Sequence, residues 1–577
     1  MMGLRTLAVF AVLAALLIAP IILRPSLPHR TAQVRLVIIS PHDAQIREEF
    51  AHAFALYAAK TLNTSVDIDW RSVGGTGEIT RYLDERFGES FHDTFPAQAA
   101  ALAALHKPKA YAETASDLPG VEPAVRAARS AFLGSQVGSG IDLWWGGGEY
   151  PHRTYANKGF LVDAGLLRAE PGWFSDAVIP QRLSGETIYD PKGRYYGASL
   201  SVFGICASPD RLALLQPSNA PTQWRDLGDP RFFDILTIVD PTRSAASATA
   251  FERLIQQQMS LQVQALASSS SPSAPASSSS VSSALPATTV SSGQTVLLPP
   301  TAVSQAHAQS LAQSQAQAAA LGRGWDQAFA LIKRIGGNTR DLSDGASFAV
   351  REVIRGDVAA AMAIDFQARC EEEYAFSQGG THRLVFTAPV GGTSVSADPI
   401  SLLRGAPHHD MAVAFMRFVL SPEGQRLLDY RVGTPGGPVR TALRRMPVRK
   451  DVYSAQDRLE MSDPDLDPFA LARTFTYHAS WTAPYYTLIS RVTRCVVMDP
   501  RPELIEAWAA IIAAGGPERV PQAWQAFCWM PFTYAEAPRM AAVLERDVTV
   551  TLPLQRAWTV QAQAHYRLAT DLARAGR

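Results

Sequence analysis

The sequence predicts an α/β protein built on a parallel sheet, interrupted by a low-complexity insertion and followed by a mainly helical extension. Three observations carry this. Near the N-terminus, β-branched apolar runs alternate with stretches of helical spacing, the pattern of strands crossed over by helices. A Ser/Ala/Gln-rich tract lies between about 261 and 321, and strand-like runs are absent beyond about 453.

The elements follow in order. "MMGLRTLAVFAVLAALLIAPIILRP" sets Arg5 ahead of an apolar run from Leu7 to Leu23, broken only by Pro20. A basic start before an apolar stretch is an export signal. The run also reaches the roughly 17 residues at which a membrane span begins. Residues 1–33 are therefore expected to act as a signal or as an uncleaved inner-membrane anchor. "VRLVIIS" (34–40) reads as a buried strand, and Ile46, Phe50, Phe54 and Tyr57 mark one face of the next helix. "SVDIDWRSV" is a second strand, "ITRYLDERF" a helix and "IDLWWGGG" a third strand. The Ala/Pro-rich stretch 88–138 reads as a helical excursion.

The tract containing "ASSSSPSAPASSSSVSSALPATTVSSG" buries too little apolar surface to fold alone and is expected to be a flexible insertion. Its Gln/Ala part would be helical towards Gly322. Beyond it, "GWDQAFALIKRIGGN" is a helix ended by Gly-Gly, "DGASFAVREVIRGD" another helix, and "VAAAMAID" and "LVFTAPVGG" are strands.

Lys+Arg and Asp+Glu each number 53, which gives no net field for nucleic acid or acidic lipid. Cys206, Cys370, Cys495 and Cys528 form no CxxC or Cys/His cluster, so no structural zinc is expected. They read as buried hydrophobes, with pairing left open.

Three segments share one design, a strand end, a turn of small residues and a helix start: "SVGGTGEI", "IVDPTRSAASATAFERLI" and "RDLSDGASFAVREVI". A helix start offers unpaired N–H groups and positive dipole, and small residues let a ligand approach. Gly74, Gly75, Thr76, Gly77, Thr242, Ser244, Ser247, Gly345 and Ser347 are the resulting candidates, converging on an oxyanion. In "IDLWWGGGEY", either one of Trp144 and Trp145 faces a cleft or both pack in the core. In the first case Gly146 to Gly148, Gly147 at their centre, keep amides open beside the ring, and Asp142 and Glu149 accept hydrogen bonds from the ligand. Asp365, ending a strand, completes the candidate contacts, and Arg243 would add charge if turned inward. Tyr195-Tyr196 would suit iron as phenolates, but adjacent rings in an extended segment diverge. His408-His409-Asp410 reads as a capped helix start and Glu371 to Glu373 as a solvated face.

These segments, in order, with "GRYYGASLSVFGI" and "DPISLLRGAPHHDMAVAFMRFVLSPEGQRLL", resemble an extracellular solute-binding protein of a bacterial ABC importer, in the group described as ferric-iron-binding. The resemblance covers most of 34–428 outside the two insertions. It implies a two-lobed periplasmic-binding-protein fold of type II, with two crossings between lobes: 34–200 and 375–452 in the first lobe, 201–374 in the second, and 453–577 as an added extension. A monomer in the periplasm would close its lobes on an oxyanionic solute, phosphorylated or carboxylated, and dock on an inner-membrane permease. No catalytic residue, metal or cofactor is expected. The alternatives are a ferric-iron carrier and a membrane-anchored ligand sensor. A hydrolase is the weakest reading, since GxSxG, HExxH and P-loop patterns are absent.

Overall fold

The computed structural model describes residues 32–270, 300–343, 345–544 and 548–577. The expected signal or anchor lies outside them up to residue 31, as does the Ser-rich centre of the insertion, 271–299. No helix among the described residues is long and apolar enough to cross a membrane.

The strands of the two larger sheets are β1 (Val34–Ile39), β2 (Val66–Arg71), β3 (Leu143–Trp145), β4 (Leu161–Val162), β5 (Tyr196–Ser201), β6 (Phe203–Ala207), β7 (Leu236–Val239), β8 (Thr339–Ser343), β9 (Ala360–Ile364), β10 (Val385–Thr387), β11 (Ser396–Leu403) and β12 (Met446–Pro447). The helices used below are α1 (Ala44–Tyr57), α2 (Thr76–Thr94), α3 (Glu149–Lys158), α4 (Ala245–Ser270), α5 (Pro300–Gly337), α6 (Ala346–Arg355), α7 (Asp365–Gly379), α8 (His409–Leu420), α9 (Tyr486–Thr493), α10 (Arg501–Ala513), α11 (Pro521–Phe527) and α12 (Val548–Arg574).

A seven-stranded sheet runs β12-β5-β11-β3-β1-β2, with β4 on β11. β1 pairs in parallel with β2 and β3, but β11 runs antiparallel to β3, β4 and β5. The sheet is thus mixed where a parallel one was expected, because the returning strand β11 inserts at its centre. The second sheet has five strands in the order β8-β7-β9-β6-β10. Only Val202 separates β5 in the first sheet from β6 in the second. The chain leaves the second sheet after Thr387 in β10, which pairs with β6, later than the expected boundary at 374.

Sheet alternation explains the core. Leu36, Ile38, Leu143 and Trp145 belong to one buried cluster, while Ile39 and Trp144, their chain neighbours, belong to another with Phe87 and Phe160. The described flanks of the insertion are not loose: residues 261–270 and 300–321 are helical and lengthen α4 and α5. Gln262 and Gln327 hydrogen-bond between these helices at 2.9 Å.

The extension packs on both lobes: Ala472 lies in the first lobe's cluster with Phe415 and Leu443, and the part from Trp481 onwards packs into the second. Trp481, Trp508, Phe527 and Tyr566 share a cluster with Trp224, Trp325 and Ile332. Gly337 ends α5 as expected, and its missing side chain seats Trp508, whose ring would lie 2.7 Å from a Cβ there. The Trp508 indole donates to Asn338 at 2.7 Å. All four cysteines are free thiols.

Candidate ligand-binding cleft

A cavity of about 340 Å³ opens between the sheets. The first lobe contributes His42, Gly75, Thr76, Gly147 and Glu149; the second contributes Arg243, Ser244, Ala245, Gly345 and Ala346; the extension contributes Tyr477 and Tyr486. The starts of α2, α4 and α6 therefore meet at one space. Gly75 and Gly345 precede α2 and α6 without any side-chain cap, which leaves first-turn amides available to a ligand. The start of α4 is partly closed: Ser244 Oγ accepts from Ser247 N at 3.3 Å.

Of the sequence-derived candidates, Gly75, Thr76, Gly147, Glu149, Ser244 and Gly345 line this cavity. Ser347 lines an adjoining cavity of about 300 Å³ that shares Asp43, Ile46, Phe366 and Gln367 with the first. Gly74, Gly77, Trp144, Thr242, Ser247 and Asp365 line neither. Their roles are local. Gly74 makes the turn at φ +123°, where a Cβ would crowd Glu78, and Gly77 lies inside the first turn of α2. Thr242 donates from its amide and hydroxyl to Asp240 Oδ1 at 2.8 and 2.7 Å. Ser247 Oγ donates back to Val239 O at 2.6 Å, tying α4 to β7. Asp365 is fully buried and accepts from Arg369 at 3.2 Å.

The tryptophans do not face the cleft. Trp144 stacks on His152 with centroids 4.1 Å apart, and Trp145 meets Phe50 edge-on at 4.8 Å. The rings point to opposite faces, but helices cover both. The glycines turn the chain at φ +97°, +101° and +84°, a region L side chains avoid. Their amides are not open as expected. Gly146 N donates to Pro399 O at 2.7 Å, and Gly147 N and Gly148 N to Asp398 Oδ1 at 2.9 and 3.4 Å. Asp142 is likewise buried, accepting from His408 N at 2.6 Å just ahead of α8.

Two charged clusters line the cavity. In one, Asp398 Oδ2 sits 2.6 Å from Arg445 Nη2 and 2.8 Å from His42 Nε2. Burial alone would raise the Asp398 carboxyl, but Arg445 and His42 outweigh it and hold it well below the usual range. Burial pushes His42 below its ordinary value, against the pull of Asp398. In the other, Arg253 donates to Glu252 at 2.7 Å and to Glu186 at 2.8 Å, while Tyr477 donates to Glu252 at 2.8 Å. Glu149 accepts from Tyr195 at 2.7 Å, and burial raises its carboxyl against Arg153 and Tyr195. Asp398 and Arg445 are 47 residues apart in sequence, and spacing alone carries no signal for them. The adjacent Glu252-Arg253 pair was the visible clue.

Tyr195 and Tyr196 diverge as expected, into different clusters. Burial raises both phenols, which opposes phenolate formation. Among the described residues no group of three or more His, Cys, Asp or Glu is placed to hold a metal ion.

The profile of the family "Bacterial extracellular solute-binding protein" matches residues 261–454, and a second profile of the same description matches 172–312. An uncharacterized protein of Haemophilus influenzae is 21% identical over 50% of this chain and 60% of its own length, so the match spans under two thirds of that relative. Among solved structures, the periplasmic binding protein AfuA of Actinobacillus pleuropneumoniae, with fructose-6-phosphate bound, is 17% identical over 71% of this chain and 85% of its own, at a TM-score of 0.38. Iron-bound HitA of Pseudomonas aeruginosa is 14% identical over 80% and 99%, at 0.43. The spermidine/putrescine-transporter protein PotD of Streptococcus pneumoniae is 12% identical over 80% and 100%, at 0.41.

Proposed function

We infer, from the premise that residues 172–454 are those of a bacterial extracellular solute-binding protein, that the chain captures a small oxyanionic solute between its lobes and delivers it to an inner-membrane permease. The family is one of extracellular binding proteins rather than enzymes. Its location is accordingly periplasmic, reached through the export signal in residues 1–33. Sequencing the mature N-terminus separates a cleaved signal from a retained anchor.

One observation carries the choice of solute. Helix starts from both lobes, two of them without side-chain caps, meet at a single cavity beside Arg243. Amides at positive dipole ends favour a phosphate or carboxylate. The volume of about 340 Å³ falls in the range of small-molecule sites, roughly 300–1,000 Å³. The tyrosine hydroxyls of Tyr477 and Tyr486 are engaged, with Glu252 and with Ala245 O, so they do not offer an open phenolate set to ferric ion.

Ser244→Glu tests the reading, because it sets a carboxylate at the mouth of α4 against the solute's own charge. The variant is expected to lose the solute that the parent protein retains through native purification. Undiminished retention, read by native mass spectrometry, would remove this helix start from the site.

A further inference from the structure

The extension reaches the cleft, outside the segment matched by the family profiles. Tyr486 lies on its helix α9, Tyr150 on α3 of the first lobe, and their rings stack with centroids 4.8 Å apart and planes 25° from parallel. Both residues line the cavity. Tyr486 also donates to Ala245 O at 3.2 Å and bonds Thr249 at 3.1 Å, at the start of α4.

Further bonds fix the extension to that same helix. Gln256 donates to His478 O at 2.8 Å and to Thr482 at 2.7 Å. Arg494 reaches Asp240 at 3.1 Å and Thr242 at 3.3 Å, in the turn that leads into α4. These attachments are on the second lobe, and the aromatic cluster of Trp481, Trp508 and Tyr566 adds to them. The part of the extension from His478 onwards, which carries Tyr486, therefore moves with the second lobe, while Tyr150 moves with the first. Opening the cleft must part the two rings.

We propose that Tyr486 is a positioning residue of the solute site: the extension holds it over the cleft, and its stack on Tyr150 latches the two lobes together. This rests on the reading of the cavity as an interlobe solute cleft. A stacked aromatic pair contributes enough, beyond area burial, to shift a two-state equilibrium roughly two- to tenfold. The latch thereby raises the share of closed protein and tightens solute capture by up to the same factor. Thr249 and Ala245 orient the Tyr486 ring, but the ring faces supply the latch.

The test measures lobe separation without any solute, so its outcome does not depend on the solute's identity. Fluorophores on non-natural residues replacing the exposed Glu85 and Arg355, one in each lobe, report the distance by single-molecule energy transfer. Tyr486→Ala is expected to raise the open-to-closed ratio roughly two- to tenfold. Tyr150→Ala, which leaves the extension untouched, should do the same. The double variant should open no further than either single one, and Tyr486→Phe should match the parent. A distance distribution unchanged in both single variants, or effects that add in the double variant, would overturn the latch. A latch that holds while Ser244→Glu still retains solute would instead count against the oxyanion assignment.

Discussion

Asp398 binds Arg445 through one carboxylate oxygen, at 2.6 Å, and the Gly147 amide through the other, at 2.9 Å. The glycine turn after β3 is thus held by a strand that enters the sheet 251 residues later. The turn's shape, and with it the wall of the cavity at Gly147 and Glu149, depends on this one part-buried side chain.

Replacing Asp398 with Ala should destabilise the protein by about 3–5 kcal/mol, because Arg445 is left buried and charged without its partner. Urea unfolding at pH 7 measures this; a change under about 1 kcal/mol, the scale of an ordinary substitution, would mean the pair is not structural. The pH dependence has a definite sign. A carboxyl held below its unfolded value adds stability above about pH 4, and loses it as pH falls towards the folded value. The gap between parent and variant should therefore narrow in acid.

Lys333 is fully buried in the second lobe, donating to Phe527 O at 3.1 Å and also to Trp529 O. Burial lowers its ammonium from 10.5 to about 7. Between pH 7 and about 10 the unfolded chain holds a proton that the folded chain has released, so stability rises with pH there, by up to ~1.4 kcal/mol per unit. Lys333→Met should flatten that slope in chemical denaturation series. An identical slope in both proteins would show that Lys333 stays charged when folded.

Trp144 and Ser244 should separate cleanly. Trp144→Phe is expected to lower stability by about 1–3 kcal/mol without loss of retained solute, since the ring packs on His152 away from the cavity. Ser244→Glu should do the reverse. Loss of solute in Trp144→Phe, in protein that melts as a single cooperative unit, would contradict the placement of Trp144 in the core.

The alternation of apolar strands and helical faces was legible because burial imposes a period of two or of 3.6 residues on the chain. β1, β2, β3 and α6 were all readable from it. The small-residue helix starts at Gly75, Ser244 and Gly345 were legible for a related reason: close backbone approach demands small residues. Pattern could not reveal what covers each face. The Trp144-Trp145 alternation was visible, but not the helices over both rings. Nor could it show that Asp398 occupies the Gly147 amide, or that Tyr486 crosses to Tyr150, because such contacts join residues hundreds of positions apart. Thr242 and Ser247 look like ligand contacts in sequence because the groups that shape a turn are the same groups that bind anions.

The central claim is that converging helix starts grip an organic oxyanion. Native mass spectrometry of the protein purified without refolding, combined with elemental metal analysis of the same sample, tests it most directly. The expected result is one phosphorylated or carboxylated small molecule per chain and no stoichiometric metal. One iron per chain, with a visible charge-transfer band, would contradict it.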